Sequence, residues 1–388
     1  MPKKNYYFDY AATTPIDPRV IKAMFPYFSD KFGNPSSIHS VGTESLVVLK
    51  KCRKILAEAL GAADENEVIF TSSATESNNL VLKGIALANK KKGNEIIISP
   101  IEHACVFKSA EWLEGQGFKI KFAKVDKYGL VDIEDLEQKI NSKTILVSII
   151  HANNEIGTIQ DLEKIGKLCR KKGVYFHTDA AQSFGKVAID VNKMKIDLLT
   201  VSSHKMYGPK GVACLYIKKG VKIEPILHGG GQEFDLRSST INVAGIVGFA
   251  KAVEICVKEM KKESAKTIKF RNYIINFVKK NIKGAHLNGH PQKRLPNNIN
   301  FSFEGIEGES LLMELDRRGI AISTSSACSS AKLEPSRILL AIGLDPFLTQ
   351  SAIRISLGRM TNKKEINYLL KVLPESIRKL RKMSPFFK

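Results

Sequence analysis

A single lysine stands where an apolar strand gives way to a short polar turn. The apolar residues 198–201 are followed by Ser202, Ser203 and His204, and then by Lys205. A lysine amine forms imines with carbonyl compounds or with pyridoxal phosphate when it is partly neutral, a state favoured by close packing and a nearby cation. Lys205 is therefore a candidate Schiff-base amine. The alternative is an ordinary surface lysine, since the chain has 60 lysines and arginines.

A carboxylate occupies the corresponding place after an upstream apolar strand. The strand begins near Val174 and ends at Asp179, with Gln182 just beyond it. Ligands of open α/β sheets bind beyond the carboxyl ends of the strands. A pyridoxal cofactor needs a lysine and an acid that keeps its ring nitrogen protonated, and Lys205 and Asp179 fit these two roles. The alternative for Asp179 is a helix N-cap or a turn carboxylate.

The segment after another predicted strand is suited to a phosphate. Ser73 is followed three residues later by Glu76, the spacing of a capping box at the start of a helix. Free backbone N–H groups and the positive end of the helix dipole attract anions there. We predict that Ala74 and Thr75 bind a cofactor phosphate, although capping alone would explain the same residues.

Two further polar residues lie after predicted strands. His103 stands at the head of a helix, where it would cap the helix, stack on a flat ring or move a proton. Asn154 follows the strand 144–150 and is placed to bond a ring hydroxyl.

The elements that would position these residues alternate between strands and helices. Hydrophobic residues make up 43% of the 388 positions, enough for a large domain and a smaller one. Strands are predicted near 67–71, 95–99, 118–125, 144–150, 174–179, 198–201, 211–217, 298–303, 320–323 and 352–356. Helices are predicted at 18–28, 43–60, 161–172, 245–282, 308–318, 336–341 and 363–382, and we place the change of domain within 245–282.

Composition and cysteine spacing limit the possible compartments. The N-terminus lacks the apolar core of a signal peptide and no apolar run approaches the ~18 residues of a membrane span, so we expect a cytoplasmic protein. The six cysteines show no metal-ligand spacing and are expected to be reduced. Cys328 lies in a loop of small residues, 323–335, where a thiolate could reach a site and swing out; the other five are predicted to be packing residues. A loop cysteine can also be inert.

The net charge of +21 suits an anionic partner such as RNA or an acidic protein. Because the basic residues are spread over predicted helix faces without interleaved aromatic residues, a lysine-rich solvated surface is the alternative.

Ten segments in one order resemble the NifS- and IscS-like cysteine desulfurases, in the class V branch of the fold-type I pyridoxal-phosphate enzymes. They span essentially the whole chain: DYAATTP (9–15), GNPSSIHSVG (33–42), FTSSATESNN (70–79), EHACV (102–106), HANNEIGTIQ (151–160), HTDAAQ (177–182), SSHKMYGPKG (202–211), HGGGQE (228–233), SSACSSAKLEPS (325–336) and IRISLGR (353–359). The resemblance implies a large domain (15–255) with a mostly parallel seven-stranded sheet flanked by helices. It also implies a small α/β domain (256–388 with 1–14) that carries Cys328.

The resemblance also assigns roles to individual residues. Lys205 would hold the pyridoxal 5'-phosphate, Asp179 would pair with the ring nitrogen and His103 would stack on the ring. The phosphate would be bound by Ala74, Thr75, Ser202 and His204, with Thr240 reaching the phosphate of a partner subunit in a homodimer. The remaining assignments are Asn154 and Gln182 near the ring oxygen, Asn34 and Arg354 on the substrate carboxylate, and Cys328 as sulfur acceptor.

The implied reaction converts L-cysteine into L-alanine and a persulfide on Cys328, with Lys205 or His103 as the base. The sulfur would pass to an iron-sulfur scaffold protein or to a tRNA-thiolation partner. No metal is expected in the resting enzyme, and Cys328 would contact a nascent iron-sulfur cluster only transiently. The alternatives are another class V aminotransferase or lyase, such as a selenocysteine lyase, and a non-catalytic basic scaffold.

One segment departs from the family pattern. After the Gly-Gly-Gly-Gln-Glu run, Ser239 stands where the family has glycine and Leu236 where a second arginine is common. The departure concerns the segment that ends at Thr240, and hence the cross-subunit phosphate contact.

Overall fold

The computed structural model describes residues 6–324 and 335–384. In chain order its helices are α1 (Pro18–Met24), α2 (Ser40–Leu60), α3 (Ala74–Asn89), α4 (Ala104–Glu114), α5 (Ile133–Lys139), α6 (Leu162–Lys172), α7 (Val243–Asn281), α8 (Gly308–Arg317), α9 (Arg337–Ala341), α10 (Pro346–Gln350) and α11 (Lys363–Met383). Its strands are β1 (Tyr6–Tyr7), β2 (Val68–Thr71), β3 (Glu95–Ile98), β4 (Lys119–Phe122), β5 (Thr144–Ser148), β6 (Tyr175–Asp179), β7 (Leu198–Ser202), β8 (Ala213–Ile217), β9 (Ala285–Leu287), β10 (Asn298–Phe303), β11 (Ile320–Ala321), β12 (Ser323–Thr324) and β13 (Ala352–Ser356). Short 3₁₀ turns lie at Phe25–Tyr27, Glu65–Glu67 and Ser203–Lys205.

The larger sheet has seven strands in the order β2-β8-β7-β6-β5-β3-β4. Only β8 runs against its neighbours, β2 and β7; the other pairings are parallel. This confirms the predicted mostly parallel sheet. Five of its strands are buried along their whole length, as expected for a sheet covered on both faces.

Alternate side chains of each strand pack into two hydrophobic clusters, one on each face of the sheet. Phe70 and Ile97 join a cluster formed with α1, α2 and α7, whereas Ile69 and Ile98 join a cluster formed with α3 and α4. This alternation follows from the two-residue period of a strand. Both faces are therefore closed to water, and a ligand can approach the sheet only at its edges or strand ends.

A second unit is built around an antiparallel sheet in the order β12-β13-β10-β9, with its own core packed against α8 and α11. The first residues of the chain join this unit, because β1 pairs in parallel with β11. The predicted strand at 320–323 is in fact two short strands in two different sheets. The division between domains predicted at residues 255 and 256 falls within α7, a single 39-residue helix that packs against both units.

Several element bounds were predicted well and others were wrong. The strands at 298–303 and 352–356 have the predicted bounds, and the helix at 161–172 begins one residue later than predicted. The strand predicted at 118–125 is only Lys119–Phe122, and α5, α10 and β9 were not predicted. Within the described residues, no helix is long and apolar enough to cross a membrane.

Candidate active site

The candidate residues converge where the parallel strands of the seven-stranded sheet end. Asp179 is the last residue of β6, Ser202 is the last residue of β7, and α3 and α4 begin after β2 and β3. Because these strands are parallel, their carboxyl ends lie at one edge of the sheet. The fold therefore gathers Asp179, Lys205, His103 and the start of α3 around one site.

Asp179 is a buried carboxylate whose hydrogen-bond donors are uncharged. It is 4% exposed; its Oδ2 accepts a hydrogen bond from Nδ2 of Asn78 at 2.7 Å, and its Oδ1 accepts one from the N–H of Ala181 at 2.9 Å. In the part of the chain that the structure describes, no cation forms an ion pair with it. Burial of an unpaired carboxylate is costly. This position therefore favours a ligand group that brings a positive charge or an N–H donor.

Lys205 closes the 3₁₀ turn after β7 and points back to the N-terminal loop. Its Nζ donates to the carbonyl oxygens of Ala11 and Ala12 at 2.6 and 2.7 Å. Nε2 of Gln182 donates to the same Ala11 oxygen at 2.9 Å. The loop 9–15 thus joins the lysine to the segment that follows Asp179, which explains why a loop without secondary structure is part of the site.

His103 is the N-cap of α4, and its Nδ1 accepts a hydrogen bond from the backbone N–H of Cys105 at 3.3 Å. Burial lowers the pKa of His103, and the charges of Lys205 and Arg337 lower it further, while Asp179 acts in the opposite direction. The imidazole is accordingly neutral at neutral pH. A neutral ring can stack on a flat cofactor without bringing a second cation next to Lys205.

The start of α3 has the capping expected from sequence, with one difference. The Ser73 hydroxyl accepts from the N–H of Glu76 at 3.1 Å, as predicted. The Glu76 carboxylate does not return this bond; it accepts instead from the N–H of Ser72 at 2.9 Å and from Nε of Arg237 at 2.7 Å. The first turn that contains Ala74 and Thr75 is therefore tied to the segment that leads to Thr240.

The residues around Ser202 complete a polar surface beside that helix start. Burial lowers the pKa of His204 to about 4, and its Nδ1 lies 3.1 Å from the Thr13 hydroxyl. The hydroxyl of Ser203 is buried and has no hydrogen-bond partner among the described residues. Its oxygen packs against Gly208, where an added Cβ would lie 2.0 Å from it. The predicted phosphate ligands are Ala74, Thr75, Ser202 and His204.

The second unit contributes Arg354, on β13, to the site. It is 3% exposed; its Nη2 pairs with Asp9 Oδ1 at 2.9 Å and its Nη1 donates to the carbonyl oxygen of Asn154 at 3.0 Å. The Nε of Arg354 and the Oδ1 of Asn154 are buried without a partner among the described residues. Both atoms are therefore available to a ligand.

Arg359 anchors the segment after β13 to α7 and to the turn that contains Lys205. It pairs with Asp17 at 2.6 Å and Glu263 at 2.9 Å, and its guanidinium lies 4.4 Å from the ring centroid of Tyr207. Tyr207 follows Lys205 by two residues and adopts a left-handed φ of 65°, which is uncommon without glycine. The arginine thus fixes the distance between Arg354 and the lysine turn.

Two predicted residues do not join the site within one chain. Asn34 is exposed; its side-chain oxygen accepts from the N–H of Ser36 at 3.0 Å and does not reach Arg354. Thr240 is also exposed, at the end of the altered segment. Cys328 lies outside the described residues.

The structure adds two residues that the sequence analysis missed. Asn78 lies one turn beyond Thr75 on α3 and holds Asp179; the helical spacing could have revealed it. Cys105 was predicted to be a packing residue, and it does pack against the hydrophobic cluster formed with α3 and α4; its sulfur also contacts His103 and Asn78. The other four cysteines of the described residues do lie in the core: Cys52, Cys169, Cys214 and Cys256. No cluster of His, Cys, Asp or Glu suited to a metal ion occurs within the described ranges.

Comparison with known proteins agrees with this arrangement. The profile of the aminotransferase class-V family matches residues 6–369. The chain belongs to this family. It is 48% identical over 384 residues to the cysteine desulfurase IscS of Dictyoglomus turgidum, covering 99% of this chain and 97% of that protein. The chain therefore falls among the cysteine desulfurases of the class-V family, as the sequence predicted.

Solved structures confirm the fold. A NifS-like protein superposes with a TM-score of 0.91 at 40% identity, covering 96% of this chain and 99% of that one. A structure of SspA in complex with cysteine superposes with a TM-score of 0.79 at 38% identity, covering 91% and 98%. The predicted enzyme class, that of the pyridoxal-phosphate-dependent cysteine desulfurases, is thereby confirmed, as is its fold type.

Proposed function

We propose that this protein removes sulfur from L-cysteine, releases L-alanine and holds the sulfur as a persulfide on Cys328. The observation that carries the proposal is the buried Asp179 carboxylate, which accepts hydrogen bonds from Asn78 and Ala181 and forms no ion pair within the described residues. The relatives named cysteine desulfurase and the related structure bound to cysteine support the choice of substrate.

The site fits pyridoxal phosphate, which the family uses. Asp179 would face the ring nitrogen and Lys205 would hold the carbonyl carbon. The start of α3, with Ser202 and His204, would bind the phosphate, and the Oδ1 of Asn154, near Arg354, has no partner among the described residues. When bound, the cofactor would hold the substrate amine and withdraw electrons from its α-carbon.

The protein's own groups would perform the remaining tasks. Arg354 would bind the substrate carboxylate through its Nε, which has no partner among the described residues, and Asn34 would assist. Lys205 or neutral His103 would take the α-proton. The Cys328 thiolate would then attack the substrate sulfur: an S–S bond forms, the C–S bond breaks, and the electron pair stays with the carbon skeleton. Cβ takes one proton and the α-proton returns to Cα, which gives alanine.

We also propose a homodimer in which Thr240 contacts the phosphate of the partner subunit. Asn34 lies among exposed apolar residues that need a cover: Phe25, Phe28, Phe32 and Ile38 are 69%, 67%, 73% and 100% exposed. Static light scattering should give twice the chain mass for the parent. A Phe28→Glu, Phe32→Glu double variant should be monomeric, and a monomeric parent would contradict the proposal.

The domain division stays part of the proposal: residues 15–255 would bind the cofactor, and 256–388 with 1–14 would carry Cys328. We further propose that the sulfur passes to an acceptor for iron-sulfur assembly or tRNA thiolation.

The test of the proposed reaction is product formation from L-cysteine with a reductant. The parent should release alanine and sulfide in equal amounts, whereas Cys328→Ser should bind L-cysteine and release almost no alanine. A Cys52→Ser variant, altered in the core, is the control. Alanine formation by Cys328→Ser at the parent rate would contradict the desulfurase assignment and favour another class V activity.

A further inference from the structure

Cys105 is a third polar partner at the centre of the candidate site. Its sulfur lies 3.0 Å from Nδ1 of His103 and accepts a hydrogen bond from Nδ2 of Asn78 at 3.1 Å. The same Asn78 nitrogen donates to Asp179 at 2.7 Å. One thiol therefore joins residues from α3, α4 and β6.

The contacts fix the protonation of the histidine ring. Nδ1 of His103 accepts from the backbone N–H of Cys105 at 3.3 Å, so this nitrogen carries no proton when the ring is neutral. The single lone pair of Nδ1 is then shared between this N–H and the Cys105 sulfur at 3.0 Å, which can bond to it only as an S–H donor. Burial raises the pKa of Cys105 to about 12, with Asp179 adding to the shift, so the group remains a thiol. The ring proton accordingly lies on Nε2.

A separate observation concerns the other side-chain atom of Asn78. Oδ1 of Asn78 is fully buried and has no hydrogen-bond partner among the described residues, although its Nδ2 is bonded twice. A buried amide oxygen left unpaired in this way is expected to accept from a group that enters the site. Cys105 holds the amide in that orientation, because the sulfur accepts one of the two Nδ2 bonds.

We propose that Cys105 is a positioning residue for His103 and Asn78. Its thiol holds the His103 imidazole as the neutral Nε2–H tautomer and holds the Asn78 amide against Asp179. The effect of Cys105 on the reaction rests on the proposed function, whereas the bond between Cys105 and His103 is independent of it. As a thiol that stays protonated, Cys105 would not compete with Cys328 for the substrate sulfur.

Other charges face His103 and must be held constant in a test. They are Asp179 at the end of β6, Lys205 after β7 and Arg337 on α9. The variants Cys105→Ala and Cys105→Ser leave all three in place. Alanine removes the S–H donor, and serine keeps a donor of similar size.

The experiment is nitrogen-15 NMR of the histidine rings in the full-length protein, labelled at its eight histidines, with the His103 signal assigned by its loss in His103→Gln. The parent should show His103 protonated on Nε2 and not on Nδ1. In Cys105→Ala the titration midpoint should rise by roughly 0.5–1 pH unit, because a hydrogen bond to the neutral ring is lost. Cys105→Ser should restore the parent midpoint, and Cys169→Ala, altered in the core, should not move it.

The kinetic result should agree with the NMR result. For Cys105→Ala, kcat for alanine should fall on the order of tenfold, while KM for L-cysteine changes less because Arg354 is untouched. A His103 tautomer and midpoint in Cys105→Ala equal to those of the parent would overturn the inference. Absence of alanine from the parent would instead overturn the proposed function, and the NMR comparison would still decide the role of Cys105.

Discussion

The buried ion pair between Arg53 and Glu233 gives a stability prediction whose size follows from the structure. Nη1 and Nη2 of Arg53 donate to the two carboxylate oxygens at 2.7 and 2.8 Å, and Phe70 N–H donates to the same carboxylate at 2.9 Å. The two side chains are 5% and 0% exposed. The pair also holds the next segment, where Phe234 and Asp235 adopt left-handed φ values of 54° and 60°.

Replacing Glu233 by glutamine should leave the Arg53 charge buried without a counter-ion. Removal of one partner from a buried ion pair costs about 3–5 kcal/mol. With the usual unfolding entropy per residue, a chain of 388 residues should lose about 4–6 °C in Tm, provided that it unfolds cooperatively. Differential scanning calorimetry measures both Tm and the unfolding enthalpy.

Two further variants separate the buried charge from other effects. Glu44→Gln breaks the exposed pair with Lys31 and should leave Tm close to that of the parent, because exposed ion pairs contribute little. The double variant Arg53→Met, Glu233→Met should regain part of the loss, since it leaves no unpaired charge. A Tm for Glu233→Gln equal to that of Glu44→Gln would refute the reasoning.

Two other changes test the site. Asp179→Asn should still bind pyridoxal phosphate, seen by visible absorbance, but form alanine more slowly, on the order of a hundredfold, the loss typical of one missing electrostatic stabiliser; an unchanged kcat would make Asp179 only a cap. Burial raises the pKa of Glu102 from 4.5 to about 8. The folded state therefore holds a proton that the unfolded chain releases, and stability contributed by this group falls as pH rises from about 4.5 to 8 and levels off above. Glu102→Gln lacks this titration, so its Tm should exceed that of the parent by an amount that grows across that range; a pH-independent difference would contradict the raised pKa.

Residues at the ends of buried strands were predictable because their position depends on local pattern. Asp179 and Lys205 each follow an apolar run, and parallel strands bring their carboxyl ends together without further information. The start of α3 was recognisable from Ser73, whose capping bond depends on three neighbouring residues.

Contacts between residues far apart in the chain could not be predicted from local sequence pattern. The loop 9–15 reaches Lys205 through backbone carbonyl oxygens, which any sequence would offer. Cys105 resembled a packing residue, because its partners Asn78 and His103 come together only when α3 and α4 pack side by side. The exposure of Asn34 and Thr240 likewise depends on which surfaces a second subunit would cover.

The central claim is that Cys328 receives the sulfur of L-cysteine. The most direct measurement is mass spectrometry of the peptide containing Cys328 after brief incubation of the purified protein with L-cysteine without reductant. We predict one added sulfur on this peptide, removed by a reductant and absent from peptides containing Cys105 or Cys169. Formation of alanine with no added sulfur on the Cys328 peptide would contradict it.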